Sequence, residues 1–162
     1  MIEEMKRLRP LVHHPDFRRA LRQVDELEHT RIYCRHGLPH LLDVARIAAL
    51  LAADRGLDCP RDVIYAAALL HDIGRVRQYT TGEPHAQAGV PMARDILRTT
   101  AFTAAEQERI VRAVGGHQTG ADADGLAQIL SEADHASRMC FACAAADTCY
   151  WTEERRNHTV LL

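Results

Sequence analysis

Lysine is almost missing from this chain of 162 residues: of its 20 basic residues only Lys6 is a lysine, and the others are arginines. The arginines are interspersed with Asp and Glu to a formal net charge of −2, so the basic stripe that duplex nucleic acid requires is lacking. No apolar run approaches the roughly 18 residues of a membrane span. The charged start, Met1-Ile2-Glu3-Glu4-Met5-Lys6-Arg7, also has no apolar signal core. These absences argue against membrane and duplex partners and predict a cytoplasmic protein. Period-two alternation of β-branched residues, internal repeats and low-complexity tracts are absent as well, which leaves an all-α fold of helices joined by short loops.

What is present fits one domain with a real core: 47% of residues are hydrophobic and 26% charged. Five cysteines, an odd number without a signal peptide, read as reduced thiols or metal ligands rather than a disulfide framework. Ten histidines are an excess that makes a metal site easier to build.

The apolar period predicts a helix from Pro15 to about Glu28 with Phe17, Leu21, Val24 and Leu27 on one face. A second starts at Pro39 and ends near Gly56, placing His40 on the stripe of Val44, Ile47 and Leu51. A third begins at Pro60 and delivers His71 and Asp72 at the end of the run Val63 to Leu70, with Gly74 as its stop. Residues Arg75 to Pro84 read as a loop, and His85 leads into a helix reaching about Arg98 that Pro91 must kink or open. The capping box Thr103-Ala104-Ala105-Glu106 starts a fifth helix that stops at Gly115-Gly116, just before His117. After a loop from Gln118 to Asp124, a sixth helix from about Gly125 carries Leu130, Asp134, Ser137 and Arg138 on one face.

An imidazole and a carboxylate side by side at the end of an apolar helix are poorly explained by packing, because both need polar partners when buried. A single inward His or Asp has an ordinary structural reading. His40, His71, Asp72 and Asp134 together supply two imidazoles and two carboxylates from different elements, as a divalent metal requires.

Three segments carry a resemblance to the HD superfamily of metal-dependent phosphohydrolases. They are His40-Leu41-Leu42-Asp43-Val44-Ala45, Leu69-Leu70-His71-Asp72-Ile73-Gly74-Arg75 and Ala133-Asp134, and the similar region spans roughly residues 30 to 140. The resemblance implies a compact helical bundle in which His40, His71, Asp72 and Asp134 hold a first metal. It further implies a second, bridged by Asp72 and bound by His85 and His117. His36 is second in line to His40, and His13, His14, His29, His135 and His158 have no ligand placement. The metals implied are divalent, with Fe, Mn, Zn, Co, Ni and Mg all compatible with imidazole and carboxylate.

The implied activity is hydrolysis of a nucleotide or another small phosphoester, with Asp72 and Arg75 as catalytic residues and Arg77 and Arg138 as further cations for phosphate. Glu83 is a candidate for moving protons. Members of the superfamily with the same ligand set hold two irons and cleave a C–C or C–P bond with dioxygen. A non-catalytic metal-binding regulatory domain is the third reading.

Domain organisation is read as residues 1–139 forming the helical domain and 140–162 a cysteine-bearing tail packed on it. In that tail Cys140, Cys143 and Cys149 suit a structural zinc or an iron–sulfur cluster, with Cys34, Cys59, His158 or an external group as the fourth ligand. Their spacing matches no standard four-cysteine finger, and free thiols in a packed segment are the alternative. Trp151, the single tryptophan, is read as an anchor for the tail.

Overall fold

The structure, a computed structural model, describes residues 4–121 and 124–162. Every regular element among them is helical: α1 (Arg9–Val12), α2 (Pro15–Leu27), α3 (Leu38–Asp54), α4 (Arg61–Leu70), α5 (Arg75–Thr81), α6 (His85–Leu97), α7 (Ala104–Gly116) and α8 (Leu126–Ala136). Single 3-10 turns flank them at Lys6–Leu8, Cys140–Ala142, Ala146–Thr148 and Glu153–Arg155. The part of the Gln118–Asp124 loop at 122–123 lies outside the described residues. No described helix is long and apolar enough to cross a membrane.

Helix starts follow local chemistry. The His14 ring accepts the Asp16 amide at the head of α2, and Thr103 and Glu106 close their capping box at α7. The α3 and α4 starts coincide with Pro39 and Pro60, where a missing N–H costs nothing. Pro91 lies inside α6 rather than in its first turn, so the Gln87 carbonyl lacks its helical donor there.

The apolar face of α3 packs against α4 and α8, α7 packs against α4, α6 and α8, and α5 bridges α2 and α6. Their buried side chains form one core, centred on the fully buried Val44, Val63, Leu70, Leu97, Ile110 and Leu130. Small residues let the helices approach closely: Ala66, Ala67 and Ala68 of α4 are completely buried. At the N-terminus Arg7 forks onto Asp62 through Nε (2.6 Å) and onto Glu106 through Nη1 (2.7 Å), tying the entry segment to the first turns of α4 and α7. A lysine could not make that fork.

Three expectations are corrected. The stretch after Asp72 is not a loop up to Pro84, because Arg75–Thr81 forms α5, a short helix whose useful residues are polar and so gave no apolar period. Nor does Gly74 act as a left-handed helix stop: its φ is −72° and it caps the start of α5. It is small because a Cβ there would stand 2.1 Å from the His85 carbonyl oxygen and 2.6 Å from the Gly89 amide nitrogen. Leu27 also departs from its expected face, being 45% exposed, whereas Ala20 is buried in its place.

Candidate metal centre

At one end of the bundle five elements bring their polar residues together. His40 comes from the first turn of α3, His71 and Asp72 from the end of α4, His85 from the first position of α6, His117 from the end of α7 and Asp134 from the last turns of α8. His71, Asp72, His85 and His117 are buried.

The same local device aims two of the imidazoles. His71 and His117 each sit at the C-cap of their helix, and each ring Nδ1 lies 2.7 Å from the carbonyl three residues earlier, Ala68 O and Val114 O. A last-turn carbonyl accepts a hydrogen bond from Nδ1–H, which leaves Nε2 pointing inward. His85 is fixed likewise, with Nδ1 at 3.1 Å from Gln78 Oε1. For His40 the partner is Ser137, whose hydroxyl donates to Asp134 O (2.7 Å) and so accepts from His40 Nδ1 (3.2 Å). Arg138 Nη2 faces His40 Nε2 at 3.0 Å, as a donor faces an acceptor.

Four Nε2 atoms therefore converge. His85 Nε2 and His117 Nε2 are 3.1 Å apart. Asp72 divides its oxygens between two groups: Oδ2 is 3.2 Å from His71 Nε2 and 3.5 Å from His40 Nε2, while Oδ1 is 3.2 Å from His85 Nε2. Asp134 Oδ1 lies 3.2 Å from His40 Nε2. The donors of His40, His71 and Asp134 lie within 4.8 Å of one another, as do those of His71, Asp72 and His117, so either group could hold a metal ion. His71 Nε2 and Asp72 Oδ2 are buried without a hydrogen-bond partner among the described residues. Orphaned lone pairs of that kind cost free energy unless a cation meets them, and a divalent ion suits this donor set.

The electrostatics agree. Burial pushes the His85 imidazole down to about 3, helped by the Arg75 charge, and burial together with His71 pushes His117 down to about 4, so both rings are neutral at pH 7. Burial opposes ionisation of Asp72, yet His71, His40 and Arg75 outweigh it and hold the carboxyl well below its ordinary range. Asp134 is likewise held down against burial, by the adjacent His40 ring and the charge of His71. For His71 burial is outweighed by the Asp72 charge, and its pKa rises.

Of the arginines singled out from the sequence, Arg75 and Arg138 stand at the centre. Arg75 Nε donates to Asp72 Oδ1 (2.9 Å) and its Nη1 to Gln78 Oε1 (3.1 Å). Arg138 Nη2 donates to Asp134 Oδ1 (3.0 Å) and Nη1 to the Arg35 carbonyl. Arg77 points outward to Glu83 at 3.5 Å, and neither residue lines the cavity over the centre. That cavity, about 590 Å³, is walled by Arg75, Gln78, Arg138, Tyr150, Trp151 and Arg155, with His85, His117 and Asp134 at its floor.

Sequence reading missed Gln78, the proton-accepting role of Ser137, and a buried carboxylate behind the site. Glu28 accepts from the His36 amide (2.8 Å), the His36 ring and the Tyr79 hydroxyl. His36 is thus turned toward Glu28, and its ring meets the His40 ring edge-on at 5.6 Å. Spacing could have shown Gln78, three residues after Arg75 on one helical face; Glu28 had no such signal, since a Glu ending a helix is ordinarily exposed.

An all-helical bundle with a buried His-Asp pair at the junction of its helices defines a class, and the chain matches the HD domain family over residues 37–139. The chain belongs to that family. It is 33% identical over 156 residues to an uncharacterised protein of Clostridium beijerinckii, covering 96% of this chain and 99% of that one. It is also 30% identical over 128 residues to ribonuclease Y 1 of Pediococcus pentosaceus, covering 79% of this chain but only 23% of the ribonuclease. In fold it is similar to the crystal structure of a predicted HD superfamily hydrolase from an uncultured Thermotogales bacterium, with a TM-score of 0.61 and 28% identity over 92% of this chain and 86% of that one.

Proposed function

We propose that the protein is a metal-dependent phosphohydrolase acting on a nucleotide or another small phosphoester. The observation that carries this reading is the convergence of four Nε2 lone pairs on a carboxylate whose two oxygens face different histidines. His40, His71, Asp72 and Asp134 would hold one ion, and Asp72, His85 and His117 a second. Two divalent ions so held supply Lewis acidity at phosphoryl oxygens and lower the pKa of bound water.

The chain's own residues supply the rest. Asp72 stays ionised because His71 and Arg75 stabilise its charge against burial. Arg75 and Arg138 bring guanidinium forks to the cavity, where phosphate oxygens would meet them in bidentate geometry. Gln78 holds the Arg75 guanidinium and the His85 ring on one oxygen, so cation and ligand are oriented together. The cavity volume is that of a small-molecule site, large enough for a nucleotide.

The test is metal-dependent phosphate release over a panel of nucleotides and small phosphoesters, with a short single-stranded oligoribonucleotide included because of the likeness to ribonuclease Y. Release abolished in Asp72→Ala is expected. No hydrolysis with any of several metals would overturn the reading, as would oxygen uptake on a substrate with a mixed-valent di-iron EPR signal and no phosphate release.

A further inference from the structure

Beyond Met139 the chain has no α-helix, only three single 3-10 turns. Asn157 is the one described residue of this segment that is buried, while Phe141, Tyr150 and Val160 are exposed. Apolar burial therefore does little to hold it. It is nevertheless fastened to the loop before α3: the Tyr33 hydroxyl donates to Thr148 O (2.9 Å), and the Tyr33 ring meets Tyr150 edge-on at 6.0 Å.

We propose that Cys34, Cys140, Cys143 and Cys149 form a four-thiolate zinc site that staples this segment to the loop carrying Cys34. Cys140 and Cys143 sit at the two ends of one turn, closed by the Cys143 amide donating to Cys140 O (3.2 Å), which folds the C-x-x-C spacing into a knuckle. Cys149 follows the next turn, its amide donating to Ala146 O (3.1 Å), and the Trp151 amide donates to the Cys149 sulfur at 3.5 Å. Cys34 comes from a distant part of the sequence, yet the thiols of all three tail cysteines are near enough to act on its ionisation.

The other candidates for a fourth ligand are elsewhere. Cys59 lies among Asp58, Asp62, Arg109 and Asp124. His158 turns to the Glu153 carbonyl.

Four thiolates around Zn²⁺ leave two negative charges, and three arginines adjoin them. Arg31 donates to Cys34 O (2.8 Å) and Arg156 to Cys149 O (3.2 Å), and while burial raises the Cys34 thiol, the Arg138 charge offsets part of that rise. Among the described residues only the histidine–aspartate groups have donors already within 4.8 Å of one another. Closing the sulfurs to about 2.3 Å from zinc therefore takes side-chain rotation in half-buried residues, each thiol giving its proton to solvent. The staple would hold Tyr150, Trp151 and Arg155 as a wall of the cavity over the metal centre.

Cobalt loading of the intact wild-type chain tests this, because thiolate-to-cobalt charge transfer, and d–d bands at the long wavelength of a four-thiolate site, are not produced by a site of histidines and carboxylates. Both features are expected in the wild type, with zinc at one equivalent above the content of Cys140→Ser/Cys143→Ser in elemental analysis. Cys34→Ser should lower the charge-transfer intensity, and Cys59→Ser should leave it unchanged. A wild-type chain without the charge-transfer band would overturn the proposal even if the serine variants fail to fold. So would a Cys34→Ser spectrum identical to that of the wild type, or purified protein carrying iron with acid-labile sulfide.

Discussion

At the scale of single residues, the imidazoles of the centre are aimed by partners that no motif contains. Gln78 is the most exposed to test, because its one oxygen accepts from both His85 Nδ1 and Arg75 Nη1. Gln78→Leu keeps the volume and removes the acceptor, freeing the His85 tautomer. Loss of such a partner lowers metal affinity by about 10- to 100-fold, and competition titration should show that loss at the weaker of two sites while the melting temperature changes little. Unchanged affinity at both sites would refute the role.

Glu28 makes a second prediction, in pH. Burial opposes its charge, but hydrogen bonds from His36 and Tyr79 win and lower its pKa from 4.5 to about 2. Because burial keeps the His36 ring itself on the neutral side, donated hydrogen bonds rather than an ion pair hold this carboxylate. A depressed folded pKa contributes stability that is full above pH 4.5 and lost as pH falls toward 2, here about 3 kcal/mol. Urea midpoints measured from pH 6 down should fall through that window in the wild type. Glu28→Gln should be less stable at pH 7 and fall less steeply across it, the remaining slope coming from Asp72 and Asp134; parallel curves would refute the assignment.

At the scale of elements, the sequence shows what hydrophobic periodicity and caps can show. The all-α class, the starts of α2 and α7, and the delivery of His71-Asp72 at the end of α4 were all legible, because each rests on an apolar stripe or a cap. Short α5 was not legible, since Arg75, Gln78 and Tyr79 serve the site instead of the core. Gly74 was legible only as a break. Its actual constraint is a close approach of α6, invisible until His85 O and Gly89 are placed against it. Gly74→Ala would force the α5–α6 contact apart and carry His85 away from Asp72. A destabilisation of about 2–3 kcal/mol is expected for such backbone overpacking, with loss of the ion nearest His85 before the other. Thermal melts paired with metal stoichiometry check it, and a variant with unchanged melting temperature and full metal content would show that the approach is slack.

At the scale of the whole molecule, the centre is where otherwise separate helices meet. The α3–α4, α3–α8, α6–α7 and α4–α7 contacts are built around the apolar core, but at the site the neighbouring helix ends present lone pairs and carboxylates to one another. In the metal-free chain Arg75 and Arg138 offset part of that charge by pairing with Asp72 and Asp134. Ions bound there would contact residues from α3, α4, α6, α7 and α8 at once, and so would stabilise the folded chain as a unit. An ion that binds only the folded state raises stability by about 2.7 kcal/mol at a hundred times its dissociation constant. Chelator-treated protein should therefore melt at a lower temperature than protein titrated with Mn²⁺ or Fe²⁺, with the difference growing with free metal concentration. In Asp72→Ala the melting temperature should lose this dependence on metal, because in the proposed arrangement Asp72 would serve both ions, its two oxygens facing different histidines. If Asp72→Ala responded to metal as the wild type does, the bridging position of Asp72 would be wrong, whatever the activity assay gave.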